Sequence, residues 1–243
     1  MPILFVRPDW GDLPMQYASS WLGFAIKEAE KRGYSIIDLY GADATKEKIM
    51  QTIQNEKPEV AILAGHGNSD TYTAQEQEVV MKACSGDEVM TGTISHFVSC
   101  SVGQVLLPSI ITKKGIWTIG YQVDFEFIVD TNYPVESDPY AEPFRDVTLA
   151  IVTKLLDGGT LKQVWDAGIA KCDEWIAKLW SKPETEWAEV ISCLQHNRDG
   201  MIALGDQETY VLPPRRAIAG LSLPQLAGLG AIFLLLTRGK ISV

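Results

Sequence analysis

The sequence predicts an α/β domain built on a mostly parallel sheet with helices on both faces. Three observations carry this expectation. Short, continuously apolar runs such as Val60–Ala64 read as strands buried on both faces. These runs alternate with segments of helical period, the pattern of parallel βαβ units. The chain has 243 residues with 46% hydrophobic content, enough for one sizeable domain with a buried core.

The elements follow in order. Met1 to Asp9 has no basic leader and too short an apolar run for a secretory signal, so it reads as the first strand. Gln16 to Lys31 places Trp21, Phe24, Ala25 and Ala29 at helical spacing, and Tyr34 to Leu39 is the second strand. Ala44 to Asn55 repeats the helical pattern through Ile49, Met50 and Ile53, and Pro58 leads into the strand Val60–Ala64. The polar stretch Gly67 to Thr91 reads as a loop with one short helix near Glu76 to Ala83. Thr93 to Val98 is a strand, Val102 to Lys113 a helix bent at Pro108, and Gly115 to Tyr121 another buried strand.

Beyond Phe125 to Val129, a Pro- and Asp-containing connection runs through Pro143. Three helices are then expected, at Phe144 to Leu156, Leu161 to Trp180 and Thr185 to Gln195, with Trp165, Trp175, Trp180 and Trp187 packed against one another or the sheet. His196 precedes Asn197-Arg198-Asp199-Gly200, which reads as a turn. Met201 to Leu204 and Thr209 to Leu212 read as a closing strand pair around Gly205-Asp206.

Composition narrows the function. The formal net charge of −10 opposes a phosphate-tracking surface, so nucleic acid is not an expected partner. Cys84, Cys100, Cys172 and Cys193 contain no CxxC pair, which argues against a zinc or dithiol redox motif and favours a reducing, cytoplasmic setting. Cys84, Cys172 and Cys193 are assigned to packing, and His96, inside its strand, to the interior.

Two segments carry chemistry. Ala61-Ile62-Leu63-Ala64-Gly65-His66-Gly67 and Ile94-Ser95-His96-Phe97-Val98-Ser99-Cys100 are apolar runs, each ending in a chemically able residue. Neighbouring parallel strands lie about 4.8 Å apart, and open α/β sheets collect ligands at the carboxyl ends of their strands. If these two are neighbours, an imidazole and a thiol leave one edge together. A thiol with a pKa near 8.5 is only about 3% ionised at pH 7, so an adjacent base is what would make Cys100 a useful nucleophile. Gly67, lacking a Cβ, lets its N–H approach an oxyanion.

Leu63-Ala64-Gly65-His66-Gly67 and Phe97-Val98-Ser99-Cys100 resemble the strand–His–Gly and strand–Ser–Cys passages of the caspase-like cysteine peptidases, the group of caspases, gingipains, legumains, separases and CHAT-type peptidases. Leu155-Leu156-Asp157-Gly158-Gly159-Thr160 and Ile202-Ala203-Leu204-Gly205-Asp206 resemble passages of the gingipain and CHAT branch. The resemblance spans residues 1–213 and implies a caspase-like (caspase-hemoglobinase) three-layer sandwich. It implies a cysteine endopeptidase acting on a peptide or protein substrate through a thioester. His66 would be the base and acid, Cys100 the nucleophile, and the N–H groups of Gly67 and Cys100 the oxyanion hole, with no metal or organic cofactor.

Val98 stands where metacaspase-like and legumain-like relatives often carry an acid, and the Gln-Ala-Cys of caspases is absent. A carboxylate for a basic P1 side chain must then come from Asp9, Asp12 or Asp124. Peptide recognition is expected from the loop Asn68 to Glu88 and the strand ends near Tyr121 to Phe125. An interaction module with a silent site is the alternative; the intact His66 and Cys100 weigh against it. A nucleotide-binding, flavodoxin-like domain would need a phosphate cradle, and no GxGxxG or Walker pattern is present. Residues 214–243 form a hydrophobic tail in which Ala217 to Thr237 carries no charge and is bracketed by basic residues. That is membrane-span length, so the expected setting is cytoplasmic with a possible tail anchor.

Overall fold

The computed structural model describes residues 2–182 and 187–209. Its main sheet is built from β1 (Ile3–Arg7), β2 (Ile36–Tyr40), β3 (Val60–Ala64), β7 (Ile94–Val98), β8 (Trp117–Tyr121) and β9 (Met201–Gly205), in the order β2-β1-β3-β7-β8-β9. Neighbours from β2 to β8 run parallel, and β9 is antiparallel to β8. A smaller antiparallel sheet joins β4 (His66–Gly67), β5 (Thr71–Thr73) and β6 (Val79–Lys82).

Helices α1 (Leu13–Lys31), α4 (Glu142–Leu156), α5 (Leu161–Trp180) and α6 (Trp187–Gly200) contribute to the core on one face of the main sheet. Helices α2 (Lys46–Glu56) and α3 (Leu106–Thr112), with the small sheet, contribute to the core on the other. This two-sided cover explains the continuous apolar runs. In β3, Val60, Ile62 and Ala64 face the first core while Ala61 and Leu63 face the second, so successive side chains on opposite faces are all buried.

Several expectations change. Where a short helix is expected near Glu76 to Ala83, the chain makes a 3-10 turn, Gln75–Gln77, and then the strand β6, because the β-branched pair Val79 and Val80 suits a pleated surface better than a helix. The helix around Pro108 starts only at Leu106, which puts the proline in its first turn; there no intrahelical N–H is needed and no bend follows. Helix α6 runs to Gly200, so Asn197 to Gly200 is helical rather than a turn. β9 pairs with β8, and the Gln207 and Thr209 carbonyls accept from Lys162 and Leu161 at the start of α5. The rest of the expected partner strand, and the tail 214–243 with its apolar stretch 217–237, lie outside the described residues. Among the described residues no helix is long and apolar enough to cross a membrane.

The indoles divide. Trp175 and Trp187 are buried, Trp187 stacks on Tyr140 at 4.8 Å, and Trp165 Nε1–H donates to the Met201 carbonyl, whereas Trp180 is 67% exposed. His96 is interior, fully buried on the α1 face of β7. Burial pushes its pKa down to about 4. The folded ring therefore stays neutral where the unfolded chain protonates, near pH 6.5, so stability is present above that pH and is lost as pH falls toward 4. The loss is on the order of 3 kcal/mol. Denaturant midpoints at pH 7 and pH 4.5 should fall further apart in the wild type than in His96→Leu.

Candidate active site

β3 and β7 pair in parallel with Ala64 opposite Val98. His66 and Cys100 each stand two residues beyond that rung, so both leave the same edge of the sheet. They line one cleft of about 440 Å3. Its other walls are the first turns of α1, through Leu13, Pro14, Met15 and Ala18, and the irregular segment from Phe125 to Val129. The cleft is largely apolar; Glu126 and Cys193 are the remaining ionisable side chains among the described residues that line it.

The loop after β1 supplies a partner for the histidine. Asp12 is the N-cap residue of α1, yet its side chain makes no cap bond. Its carboxylate binds His66 Nε2 instead, and Trp10 packs edge-on against the imidazole with ring centroids 5.7 Å apart. An ionised carboxylate only accepts, so Nε2 carries the proton and the Nδ1 lone pair is left free to act as a base. Sheet order explains the meeting: β1 is the neighbour of β3, so the turns after both strands share one edge.

Cys100 sits in a tight turn. Ser101 has φ 55°, a left-handed conformation unusual for a non-glycine residue. It is held by its N–H to the Val123 carbonyl at 2.8 Å and its hydroxyl to Asp124 Oδ1 at 2.7 Å. The sulfur lies against the Phe125 backbone, whose N–H donates to Sγ at 3.4 Å. Burial pushes the thiol pKa up, the Phe125 backbone pulls it down, and the charges of Asp124 and Glu126 push it up further.

Gly67 packs on the same turn. A Cβ there would lie 2.7 Å from both the Cys100 carbonyl oxygen and Val102 Cγ1, so only glycine allows this approach. Asn68 N–H bonds the Thr71 carbonyl at 3.0 Å, and antiparallel alternation then leaves the Gly67 N–H directed away from β5. Gly67→Ala should displace the turn that carries Cys100 and destabilise the fold by about 1–3 kcal/mol, measured as a lower thermal midpoint.

The three acids expected to recognise substrate are placed elsewhere. Asp12 is taken by His66. Asp9 accepts from the Tyr40 hydroxyl at 2.8 Å, and lines a separate groove between α1 and the ends of β1 and β2. Asp124 braces Ser101. The loop Asn68 to Glu88, expected to read peptide, forms the small sheet and supplies none of the described lining of the cleft. Of the cysteines assigned to packing only Cys172 is buried; Cys84 is exposed and Cys193 opens onto the cleft beside Glu126 at 3.8 Å. Burial and Glu126 push the Cys193 pKa up to about 11. Among the described residues no group of three or more His, Cys, Asp or Glu is placed to hold a metal ion.

Solved structures share this architecture. The fold is the caspase-like fold of the gingipains. A complex of the pro- and mature domains of Porphyromonas gingivalis RgpB superposes with a TM-score of 0.54 at 13% identity, over 88% of this chain and 49% of that one. The Arg-specific cysteine proteinase gingipain R (RgpB) gives 0.55 at 11% identity over 87% and 48%, and a structure described as a protease gives 0.55 at 13% over 89% and 49%. The chain thus spans about half the length of the gingipain chains it matches. No protein-family model and no curated protein matches it. The likeness is one of fold, and within that fold the residues that sequence reasoning passed over are Asp12 as a histidine partner, Glu126, Cys193 and the α1 wall. Asp12 alone left a signal, as an acid directly after the strand that βαβ topology sets beside β3.

Proposed function

We propose that this chain is a cysteine endopeptidase. The observation that carries the reading is the shared cleft at the carboxyl edge of β3 and β7, lined by Cys100 and by an imidazole that Asp12 holds in one tautomer. The gingipain likeness of the fold supports it.

In this reading His66 Nδ1 takes the Cys100 thiol proton as sulfur attacks the peptide carbonyl. The N–H groups of Gly67 and Cys100 hold the oxyanion, and the imidazolium returns its proton to the leaving amine. Water, deprotonated by His66, then hydrolyses the thioester. The apolar walls suit a substrate side chain with an apolar body, while Glu126 repels an acidic one.

The test is a fluorogenic peptide panel with varied P1, combined with graded alkylation mapped residue by residue. Turnover of at least one peptide, falling in proportion to the Cys100 modified, is expected. No turnover of any peptide, or full turnover with Cys100 completely alkylated, overturns the proposal; the former with a reactive Cys100 is what a silent interaction module would give.

A further inference from the structure

Past β8 the segment from Phe125 to Val129 belongs to no helix and to neither sheet, yet it forms a wall of the cleft. The last turns of α6 hold its beginning. Asn197 is 2% exposed, and its side chain pairs reciprocally with one residue: Glu126 N–H donates to Asn197 Oδ1 at 3.0 Å, and Asn197 Nδ2–H donates to the Glu126 carbonyl at 2.6 Å. One residue earlier, His196 Nε2–H donates to the Asp124 carbonyl at 3.0 Å. Gly200 lies against Val123, where a Cβ would come within 2.9 Å of Val123 Cγ1.

These contacts bracket Phe125. Its N–H and the Asp124 carbonyl belong to one planar peptide unit, so fixing the carbonyl fixes the direction of the N–H. Its own carbonyl shares a plane with the Glu126 N–H that Asn197 holds. The gripped Phe125 N–H is the donor that meets Cys100 Sγ at 3.4 Å, and a peptide bonded at its carbonyl is a stronger donor at its nitrogen.

We infer that Asn197 is a positioning residue for the nucleophile: by clamping the Glu126 backbone it holds the Phe125 N–H against Cys100, where that N–H stabilises the thiolate. The inference rests on the peptidase reading for its place in turnover, but the thiolate itself can be measured without turnover. The other charged or titratable groups around the sulfur are His66 with Asp12 behind it, Asp124 with His196 on its carbonyl, Glu126 and Cys193. None of these changes in Asn197→Leu, which keeps nearly the same volume and removes both amide bonds.

The experiment is iodoacetamide alkylation of the full chain across pH, with Cys100 and Cys193 resolved by mass spectrometry. In Asn197→Leu the Cys100 midpoint should move up by about one pH unit, making alkylation roughly tenfold slower at neutral pH with an unchanged plateau at high pH. A changed plateau at both thiols with an unmoved midpoint would mean that Asn197 only shapes the wall, and would overturn the inference. Should the variant fail to fold, the wild type still decides: the Phe125 amide resonance should titrate with the Cys100 midpoint and stop titrating in Cys100→Ser. An amide that ignores the Cys100 titration overturns the inference, whether or not any peptide is cleaved.

Discussion

Cys100→Ala is expected to lower kcat/KM for a cleaved peptide by a factor on the order of 10⁴ to 10⁶, and His66→Ala by a similar factor. The double variant should be no worse than either single one, because in the proposed mechanism thiol and imidazole act as a unit: each is useless for acyl transfer without the other. Neither change should unfold the chain, since His66 and Cys100 border an open cleft rather than fill the core. Steady-state kinetics on the three variants, with thermal midpoints alongside, check this. A single variant keeping more than a few per cent of wild-type activity, or effects that multiply, would break the dyad.

Asp12→Asn is the second large effect. The Asp12 side chain makes no cap bond, so its replacement removes none and α1 should keep its start and its stability. The chemistry should suffer, because an amide can donate to His66 Nε2 and favour the tautomer with the proton on Nδ1, where a lone pair is required. A fall in kcat of about 10²- to 10⁴-fold with little change in KM is expected. Asp12→Ala, which leaves the tautomer unconstrained, should fall less. If Asp12 served the substrate instead, KM and the P1 preference would change and kcat would not; kinetics on two peptides differing only in P1 separate these outcomes.

The sheet was legible in the sequence because its strands are buried on both faces, and a doubly buried strand writes itself as an unbroken apolar run. Val60–Ala64 is such a run, Ile94–Val98 is buried throughout although Ser95 and His96 interrupt it, and their adjacency brings His66 and Cys100 to one edge. The small sheet was not legible: β4 is two residues long and β5 three, too short for any period to show. Carboxylate roles were the least legible. Asp9, Asp12 and Asp124 look alike as acids near strand ends, and what separates them is a partner reached across the fold: a tyrosine on β2, the histidine on β4, a serine beside the nucleophile. Asn197 is harder still, since a helical asparagine is unremarked until its two bonds to the Glu126 backbone are seen.

The sheet order also sets a timetable. Asp12, His66, Cys100 and Glu126 follow four strands that are neighbours in space and are made in sequence, whereas the helix that secures the fourth segment ends only at Gly200. A ribosome must therefore complete most of this domain before the cleft has its second wall. On the peptidase proposal, Cys100 would until then stand at the end of its strand without a completed cleft to hold a peptide.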